Sequence, residues 1–397
     1  MNRITQCMHG RGTVSDLSRH GSGRTSRHLA FSGMNRPVVF WNLTNACNLH
    51  CIHCYSRSGS DAADENELST DEAFRVIDDL VDAGVPLILF TGGEPLLRHD
   101  ICDLAVYARE KGLSIALSSN GTLIDAKYAK RIQESGISYV GISLDGADAE
   151  IHNRFRGSDD AFARTTAAFA HCLDAGLRCG VRVTLTQENL GELEPLIDLA
   201  VDLGASRFCL YWLVPTGRGI ESYDRLQLDG SQVVDALNLL YRKAKEIDPA
   251  QMEFLTVDAP QDAIHLLASM RHDGSPDLPD AERLVASLNG GCSAGTKVAN
   301  IDHRGDIYPC QFARSETFRI GNIRDAPFAA IWDDDTNPVL QLFRTRPVAF
   351  EGKCGSCSHQ VLCGGGCRVR AYMKNGEFFA EDPFCFISEN GDSLKRV

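Results

Sequence analysis

Short apolar runs alternate with amphipathic runs six times between about residues 37 and 213, and this alternation limits the possible fold more than any other feature. The apolar runs predict strands at residues 38–43, 87–91, 114–119, 139–144, 181–186 and 207–213. Strands that are apolar along their whole length are typical of a parallel sheet buried on both faces, so we expect an α/β fold. Right-handed crossovers would wind it into a doubly wound sheet or a partial barrel, and the alternation alone does not decide between them.

The amphipathic runs predict the helices between the strands. They lie at residues 69–83, 101–111, 126–134, 161–175 and 192–203. Ser69 and Glu72 have the spacing of a capping box at the start of the first of them. A glycine follows each helix, where a C-cap is expected, at Gly84, Gly112, Gly136, Gly176 and Gly204. In either arrangement the loops after the strands form one rim, where functional residues are expected.

Composition divides the chain into four segments. These are an N-terminal extension at residues 1–35, the core at 36–220, a bridging segment at 221–290 and a Cys- and Gly-rich C-terminal domain at 291–397. The extension is rich in Arg, Ser and Gly, which gives it some transit-peptide character, and we expect it to be solvated. We further expect a strand at 252–257, a hairpin near 298–308 and a cysteine-rich loop beyond residue 353.

Charge and hydropathy exclude several classes of function. The 397 residues include 40 basic and 53 acidic side chains, and the net charge of −13 argues against a general nucleic-acid-binding surface. No apolar run reaches the length of a membrane span, and no secretory signal is found. We therefore expect a cytoplasmic protein whose 15 cysteines form no disulfide framework, and clustered thiols in that compartment usually bind metal.

Three of these cysteines, Cys47, Cys51 and Cys54, lie within eight residues just after the first predicted strand. Thiolates at this spacing can hold one compact metal centre. A [4Fe–4S] cluster has four irons, so three cysteines would leave one iron open to an outside ligand. Zinc is the alternative, with His50 or His53 completing the site. Chance proximity of three buried thiols is the remaining interpretation.

The Cys-x3-Cys-x2-Cys spacing, with Tyr55 directly behind it, resembles the signature of the radical S-adenosylmethionine (SAM) family. The sequence Thr91-Gly92-Gly93-Glu94-Pro95 after the second strand is similar to that family's Gly-Gly-Glu-Pro motif. The resemblance implies a partial (β/α)6 barrel with a catalytic cluster on the three cysteines. It also implies that SAM chelates the open iron and that one electron releases a 5′-deoxyadenosyl radical from it. Glycines let backbone approach a ligand closely, and Glu94 can accept a hydrogen bond from the SAM ammonium.

Residues after the later strands resemble family positions near the ribose and methionyl groups of SAM. They lie in Ser118-Ser119-Asn120-Gly121 and Gly141-Ile142-Ser143-Leu144-Asp145-Gly146, and Arg182 is expected to face the methionyl carboxylate. The implied cofactor-binding residues are therefore Gly92, Gly93, Glu94, Pro95, Ser119, Asn120, Ser143, Asp145 and Arg182. Each also has an ordinary interpretation as a turn or strand-end residue.

The cysteines beyond residue 291 resemble the seven-cysteine SPASM extension of radical SAM enzymes. The resemblance implies two auxiliary [4Fe–4S] clusters, one on Cys354, Cys357, Cys363 and Cys385 and the other on Cys292, Cys310 and Cys367. Some members have an eighth cysteine where this chain has Ala286, which leaves the second cluster a ligand position for substrate, water or another side chain. Two structural zinc sites are the alternative. Cys7, Cys102, Cys172, Cys179 and Cys209 lie outside both patterns, and the last four are expected in the core.

Over most of its length the chain resembles the tetrapyrrole branch of these enzymes, which serves heme d1 synthesis and the siroheme-dependent route to heme. The similarity lies in residues 37–42, 67–70, 139–146, 153–157, 217–219 and 367–371. It implies an iron tetrapyrrole substrate, a low-potential electron donor and removal of acetate side chains from 12,18-didecarboxysiroheme to give Fe-coproporphyrin III. The alternatives are oxidative decarboxylation of Fe-coproporphyrin III propionates to heme b, and removal of heme d1 side chains.

Guanidinium groups are the expected partners of the tetrapyrrole carboxylates, with Arg154, Arg156, Arg182 and Arg218 as candidates and surface salt bridges as their ordinary interpretation. Two other functions stay open. A peptide-modifying maturase of the SPASM type is one, although residues 1–35 are too short and polar for the peptide-binding module that many of these enzymes carry. A non-enzymatic iron–sulfur electron carrier is the other, and it would not need residues 92–95.

Overall fold

One sheet contains all eleven strands of the described residues, which in this computed structural model are 1–10, 13–14, 36–62, 64–287, 291–345 and 349–387. The strands are β1 (Asn2–Arg3), β2 (Val38–Asn42), β3 (Leu87–Thr91), β4 (Ser114–Ser119), β5 (Val140–Ser143), β6 (Cys179–Leu185), β7 (Arg207–Trp212), β8 (Glu253–Val257), β9 (Val298–Ile301), β10 (Asp306–Tyr308) and β11 (Gly321–Asn322). Their order in the sheet is β1, β8, β7, β6, β5, β4, β3, β2, β9, β10, β11.

The central strands β2 to β8 lie in chain order and run parallel. A doubly wound sheet would reverse its strand order, so this sheet is the partial barrel that the family resemblance implied. It is not closed, because β1 pairs antiparallel with β8 at one edge and β9 pairs parallel with β2 at the other. The strand expected at 252–257 is therefore a seventh parallel strand of the core sheet rather than part of a bridge.

Helices connect and cover these strands. In the described residues they are α1 (Ile4–His9), α2 (Thr70–Asp82), α3 (Ile101–Glu110), α4 (Ala126–Glu134), α5 (Ala149–Arg156), α6 (Ala161–Asp174), α7 (Leu193–Asp202), α8 (Gly219–Leu226), α9 (Gly230–Glu246), α10 (Asp262–His272), α11 (Leu278–Ser287), α12 (Phe328–Trp332), α13 (Pro338–Arg344), α14 (Gly352–Ser356), α15 (Gln360–Cys363) and α16 (Arg368–Asn375). Short 3₁₀ helices lie at Pro95–Leu97, Leu190–Glu192 and Glu316–Phe318.

The predicted helix ends are confirmed in detail. Ser69 accepts a hydrogen bond from the Glu72 backbone N–H, and the Glu72 carboxylate accepts one from the Ser69 N–H, which completes the capping box. The five glycines expected at C-caps all have left-handed φ angles, from 68° at Gly204 to 89° at Gly112.

Several helices were not expected from the sequence, among them α10 and α11 in the segment expected as a bridge. Helix α5 was missed, although Asp148 caps it by accepting a hydrogen bond from the Ile151 N–H and Gly157 ends it with a φ of 67°. The region beyond residue 353, expected as a loop, contains α15, α16 and most of α14. These helices are short and interrupted by cysteines and glycines, so they show little of the periodicity that marks a longer helix. The hairpin is confirmed, since β9 and β10 pair antiparallel.

The start of the chain packs against the core, so the expectation of a solvated extension is wrong for residues 2–9. Asn2 pairs with Thr256 at the sheet edge, and its side chain donates to the carbonyl oxygen of Ala259 at 2.8 Å. Ile4 and Met8 are buried in the main hydrophobic core. The transit-peptide character of residues 1–35 rests largely on arginines outside the described residues.

The C-terminal domain is fastened to the rim of the sheet by Arg370 of α16. This fully buried guanidinium donates to the carbonyl oxygens of Leu213 and Asp258, which follow β7 and β8, and pairs with Asp382 at 2.9 Å. The domain has its own apolar cluster, in which Phe318, Phe343 and Phe378 pack edge to face or tilted. Searching the described residues for a helix long and apolar enough to cross a membrane finds none.

Candidate active site

The loop after β2, which we call the cysteine loop (residues 43–55), packs closely against the turn after β3. The Gly93 N–H donates to the carbonyl oxygen of Thr44 at 2.8 Å. A Cβ on Gly93 would lie 2.1 Å from the carbonyl oxygen of Ala46, and one on Gly92 would lie 2.7 Å from that of Thr44. The two glycines are therefore required by the backbone of the cysteine loop itself, a reason that the motif alone did not reveal.

Each thiol of the cysteine loop has a possible donor nearby. The Leu49 N–H lies 3.4 Å from Cys47 Sγ, Arg156 Nη1 lies 3.6 Å from Cys51 Sγ, and Ser56 Oγ lies 3.4 Å from Cys54 Sγ. Burial raises the pKa of Cys47 to about 12 and also raises the pKa of Cys51. These thiols therefore stay protonated at neutral pH unless a bound cation deprotonates them.

A buried ion pair lies beside Cys51. Arg156 at the end of α5 contacts the carboxylate of Asp145, which follows β5, and the Thr184 N–H donates to the same carboxylate at 3.0 Å. His53 Nε2 lies 3.9 Å from it. Burial lowers the pKa of His53 to about 4, so this imidazole is neutral at physiological pH.

Glu94 lies behind the wall of the site. Its fully buried carboxylate accepts hydrogen bonds from the Leu96 N–H at 3.1 Å, the Ser119 hydroxyl at 2.8 Å and the Asn120 N–H at 2.8 Å. Burial nevertheless raises its pKa to about 7. The carboxylate thus fastens the loop after β4 to the turn after β3.

One cavity at the rim brings most of the predicted site residues together. Ten of them line it: Cys47, Cys51, Cys54, Gly92, Gly93, Ser119, Asn120, Ser143, Asp145 and Arg182. Glu94 and Pro95 do not line it, because the turn directs them into the protein. Arg182 on β6 lies against Tyr211 of the neighbouring strand β7, with its guanidinium carbon 5.0 Å from the ring centre. It has room because Gly141 has no side chain, and a Cβ there would lie 2.6 Å from Arg182 Cδ.

Sequence reasoning did not assign several lining residues to the site. Tyr211 was missed, while His53, Arg156 and Arg218 were considered only as a zinc ligand or as carboxylate partners. The sequence Gly-Arg-Gly at residues 217–219 could have indicated that Arg218 lies close to the cysteine loop. The Arg218 Nε donates to the carbonyl oxygen of Cys51 at 2.9 Å, and a Cβ on Gly217 would lie 2.3 Å from that of Cys54. No sequence pattern marks Tyr211, whose place depends on strand register.

Unpaired polar atoms around the cavity fit a polar, anion-bearing occupant. Among the described residues, His53 Nδ1, Arg156 Nε and Arg218 Nη2 are buried and find no hydrogen-bond partner within the protein. Buried donors without partners are costly. Three thiols, three guanidinium groups and a carboxylate on one cavity match an iron–sulfur cluster with SAM, which brings sulfides, a carboxylate, an ammonium and a ribose.

The C-terminal cysteines fall into the two groups that the SPASM pattern implies. Cys354, Cys357, Cys363 and Cys385 line one small cavity together with Gly365. Cys310 and Cys367 are buried in a separate apolar cluster, and Cys292 packs against it. Within the part of the chain that the structure describes, no three His, Cys, Asp or Glu side chains are arranged to hold a single metal ion.

The second cysteine group adjoins the cavity. Gln311 and Phe312, which follow Cys310, line the cavity wall, and Phe312 packs edge to face on Tyr55 of the cysteine loop at 5.6 Å. These contacts place Cys310, and with it the second cysteine group, next to the cavity. Cys172, Cys179 and Cys209 are buried as expected, and Cys102 is half-buried against the core. Cys7, for which no core position was expected, is also buried.

Comparison with known families agrees with this arrangement. The family model of the radical SAM superfamily matches residues 41–200, and that of the SPASM iron–sulfur cluster-binding domain matches residues 292–358. The chain belongs to the radical SAM enzymes with a SPASM domain.

Three similar proteins and one solved structure show which members of this family the chain resembles. Fe-coproporphyrin III synthase of Methanosarcina barkeri is 39% identical over 95% of this chain and 96% of the relative. Pre-heme d1 synthase of Dinoroseobacter shibae is 36% identical over 90% and 87%, and AdoMet-dependent heme synthase of Nitratidesulfovibrio vulgaris is 33% identical over 93% and 97%. The crystal structure of Streptococcus suis SuiB bound to S-adenosylmethionine superposes with a TM-score of 0.69 at 20% identity, covering 88% of this chain and 77% of that one, which shows the common fold.

Proposed function

We propose that this radical SAM enzyme acts in siroheme-dependent heme biosynthesis and removes acetate side chains from 12,18-didecarboxysiroheme to give Fe-coproporphyrin III. The observation that carries the proposal is the similarity to Fe-coproporphyrin III synthase, at 39% identity along nearly the whole of both chains. The proposal requires a low-potential one-electron donor. Membership of this enzyme family removes the non-enzymatic electron carrier from the alternatives.

In this proposal the cysteines hold three [4Fe–4S] clusters. Cys47, Cys51 and Cys54 hold the catalytic one, and the two C-terminal groups hold the auxiliary ones. The convergence of each group on its own cavity or cluster supports the division. Bound together, SAM and the catalytic cluster supply one-electron hydrogen-abstraction chemistry.

The protein's own residues bind and orient the reactants. Gly92 and Gly93 expose backbone at the cavity wall, and Glu94 keeps Ser119 and Asn120 in place beside them. We assign Ser119, Asn120 and Ser143 to the polar groups of SAM and Arg182 to its carboxylate, and Asp145 supports the site through its buried ion pair with Arg156. In this proposal Glu94 and Pro95 do not contact SAM, and they support the cavity wall from inside the protein.

Arg218 is the proposed partner of a substrate carboxylate. Its Nε is fixed on the cysteine loop, while Nη2 is buried beside the cavity with no partner among the described residues. A guanidinium fixed at one end is preorganised for a carboxylate. Arg154 is excluded from this role, because its half-exposed side chain pairs with Glu150 and Glu188 away from the cavity.

Propionate decarboxylation of Fe-coproporphyrin III is the second candidate, and the similarity to AdoMet-dependent heme synthase favours it over the others. Anaerobic incubation of the iron-loaded protein with SAM, dithionite and each tetrapyrrole in turn separates the two. Formation of 5′-deoxyadenosine should rise with 12,18-didecarboxysiroheme. An equal or greater rise with Fe-coproporphyrin III would instead favour the second candidate, and no rise with either would overturn the tetrapyrrole assignment.

Cysteine variants provide the control. Changing Cys47, Cys51 and Cys54 to Ala should lower the iron content from about twelve to about eight atoms per chain and abolish SAM cleavage. Cys172→Ala alters a buried core thiol and should leave both values unchanged.

A further inference from the structure

Arg156 is joined to the cysteine loop by both its backbone and its side chain. The His50 N–H donates to the carbonyl oxygen of Arg156 at 3.1 Å, and the Ile52 N–H donates to that of Phe155 at 3.2 Å. The end of α5 therefore holds the backbone on both sides of Cys51. Gly157 makes the approach possible, since its φ is 67° and a Cβ there would lie 3.0 Å from the carbonyl oxygen of His50.

The guanidinium of Arg156 is aimed at the thiol of Cys51. Nη1 lies 3.6 Å from Cys51 Sγ, and Nη2 contacts the carboxylate of Asp145. Arg156 is 6% exposed and Asp145 is fully buried, so water screens neither charge strongly. The Nε donor is buried and has no partner among the described residues, which leaves it free for a cluster sulfide.

Cys51 is distinguished from its two neighbours by this charge. Cys47 has a backbone N–H and Cys54 has a serine hydroxyl close to sulfur, whereas Cys51 has a cationic donor. The Arg218 Nε adds a second cation 2.9 Å from the carbonyl oxygen of the same cysteine. Two of the three guanidinium groups at the cavity therefore contact Cys51.

We propose that Arg156 sets the reduction potential of the cluster bound by Cys47, Cys51 and Cys54, with Asp145 limiting the strength of its effect. This inference rests on the proposed cluster assignment. One electron from a low-potential donor converts [4Fe–4S]²⁺ to [4Fe–4S]⁺, and no bond or proton is exchanged. Reduction adds one negative charge in a buried place, and a cationic hydrogen bond to a ligand sulfur stabilises that charge. Arg156 thus shifts the potential upward, and Asp145 shifts it downward.

The test is an anaerobic redox titration of the full-length, iron-loaded protein followed by EPR. Addition of SAM perturbs the signal of the cluster that binds it, which separates this signal from those of the auxiliary clusters. Arg156→Gln should shift the midpoint potential of that cluster to more negative values. Arg156→Lys, which keeps the charge, should restore most of the difference. Asp145→Asn should shift the potential in the opposite direction.

Arg154→Gln is the matched control, because it removes the same charge from the same helix at a half-exposed position. The midpoint potential of the SAM-binding cluster in Arg154→Gln should equal that in the unaltered protein. If Arg156→Gln binds no cluster, Arg156→Lys and Asp145→Asn decide the question. An unchanged potential in cluster-bound Arg156→Gln, or an equal shift in Arg154→Gln, would overturn the proposal for Arg156, and an unchanged potential in Asp145→Asn would overturn the limiting role of Asp145. Absence of any SAM-perturbed signal in the unaltered protein would instead contradict the cluster assignment.

Discussion

At the scale of single residues, the carboxylate of Glu94 gives the site a pH dependence. Its pKa is raised by burial from 4.5 to about 7. Between these values the folded protein keeps a proton that the unfolded chain releases, so the free energy of unfolding falls as the pH rises toward 7 and then levels off.

Glu94→Gln removes this titration. From pH 6 to pH 8 the unaltered protein should lose stability relative to the variant by on the order of 1 kcal/mol. Urea unfolding of both proteins at the two pH values measures the difference. A constant difference would show that Glu94 does not titrate between pH 6 and pH 8.

The ligand spacing of the site could be predicted from the sequence, but side-chain direction could not. Cys47, Cys51 and Cys54 are close in the chain, so their proximity needs only one loop. Glu94 was expected in the cavity and instead faces inward, because the hydrogen bonds to Ser119 and Asn120 come from another strand's loop. The direction of the Glu94 side chain therefore depends on tertiary contacts, which a local sequence motif does not contain.

At the scale of elements, the contact between the cysteine loop and the turn after β3 is the most demanding packing of the site. Gly93→Ala would place a Cβ 2.1 Å from the carbonyl oxygen of Ala46, so one of the two loops must move. We expect this variant to lose the SAM-binding cluster, and about four irons per chain, while the auxiliary clusters remain. Iron analysis and EPR measure this loss.

Gly191→Ala is the control for that substitution, since a Cβ at Gly191 has no neighbour within 4 Å. It should leave iron content unchanged. Full iron content in Gly93→Ala would contradict the packing argument.

Strand β1 and helix α1 pack against the core, although the polar composition of residues 1–35 predicted a solvated extension. Ile4 is 3% exposed, whereas Ile220 on α8 is 47% exposed. Ile4→Ala should lower the free energy of unfolding by about 2–5 kcal/mol and lower the thermal midpoint, while Ile220→Ala should change little. Equal midpoints for the two variants would show that residues 2–9 do not contribute to the core.

The parallel strands and long helices were predictable because their apolar periodicity extends over many residues. Strand β1 was missed because only Asn2 and Arg3 form it, and it is stabilised by pairing with β8 more than 250 residues away. The order of the strands was undecided by the alternation for the same reason, since the periodicity of one strand does not specify its neighbour.

At the scale of the whole molecule, the sheet and the C-terminal domain meet at the cavity rim. Arg370 fastens the domain to the ends of β7 and β8, and Phe312 completes the cavity wall. The cysteine group of Cys292, Cys310 and Cys367 therefore adjoins the reaction space rather than lying in a remote module. This placement suits an auxiliary cluster that exchanges electrons with the site or contacts the substrate.

The most direct test of the proposed function is the mass of the tetrapyrrole after anaerobic turnover with SAM and dithionite. Starting from 12,18-didecarboxysiroheme, the account predicts a product that has lost two acetate side chains, with a mass equal to that of Fe-coproporphyrin III, and 5′-deoxyadenosine formed alongside it. Formation of 5′-deoxyadenosine with all acetate side chains retained would contradict the account.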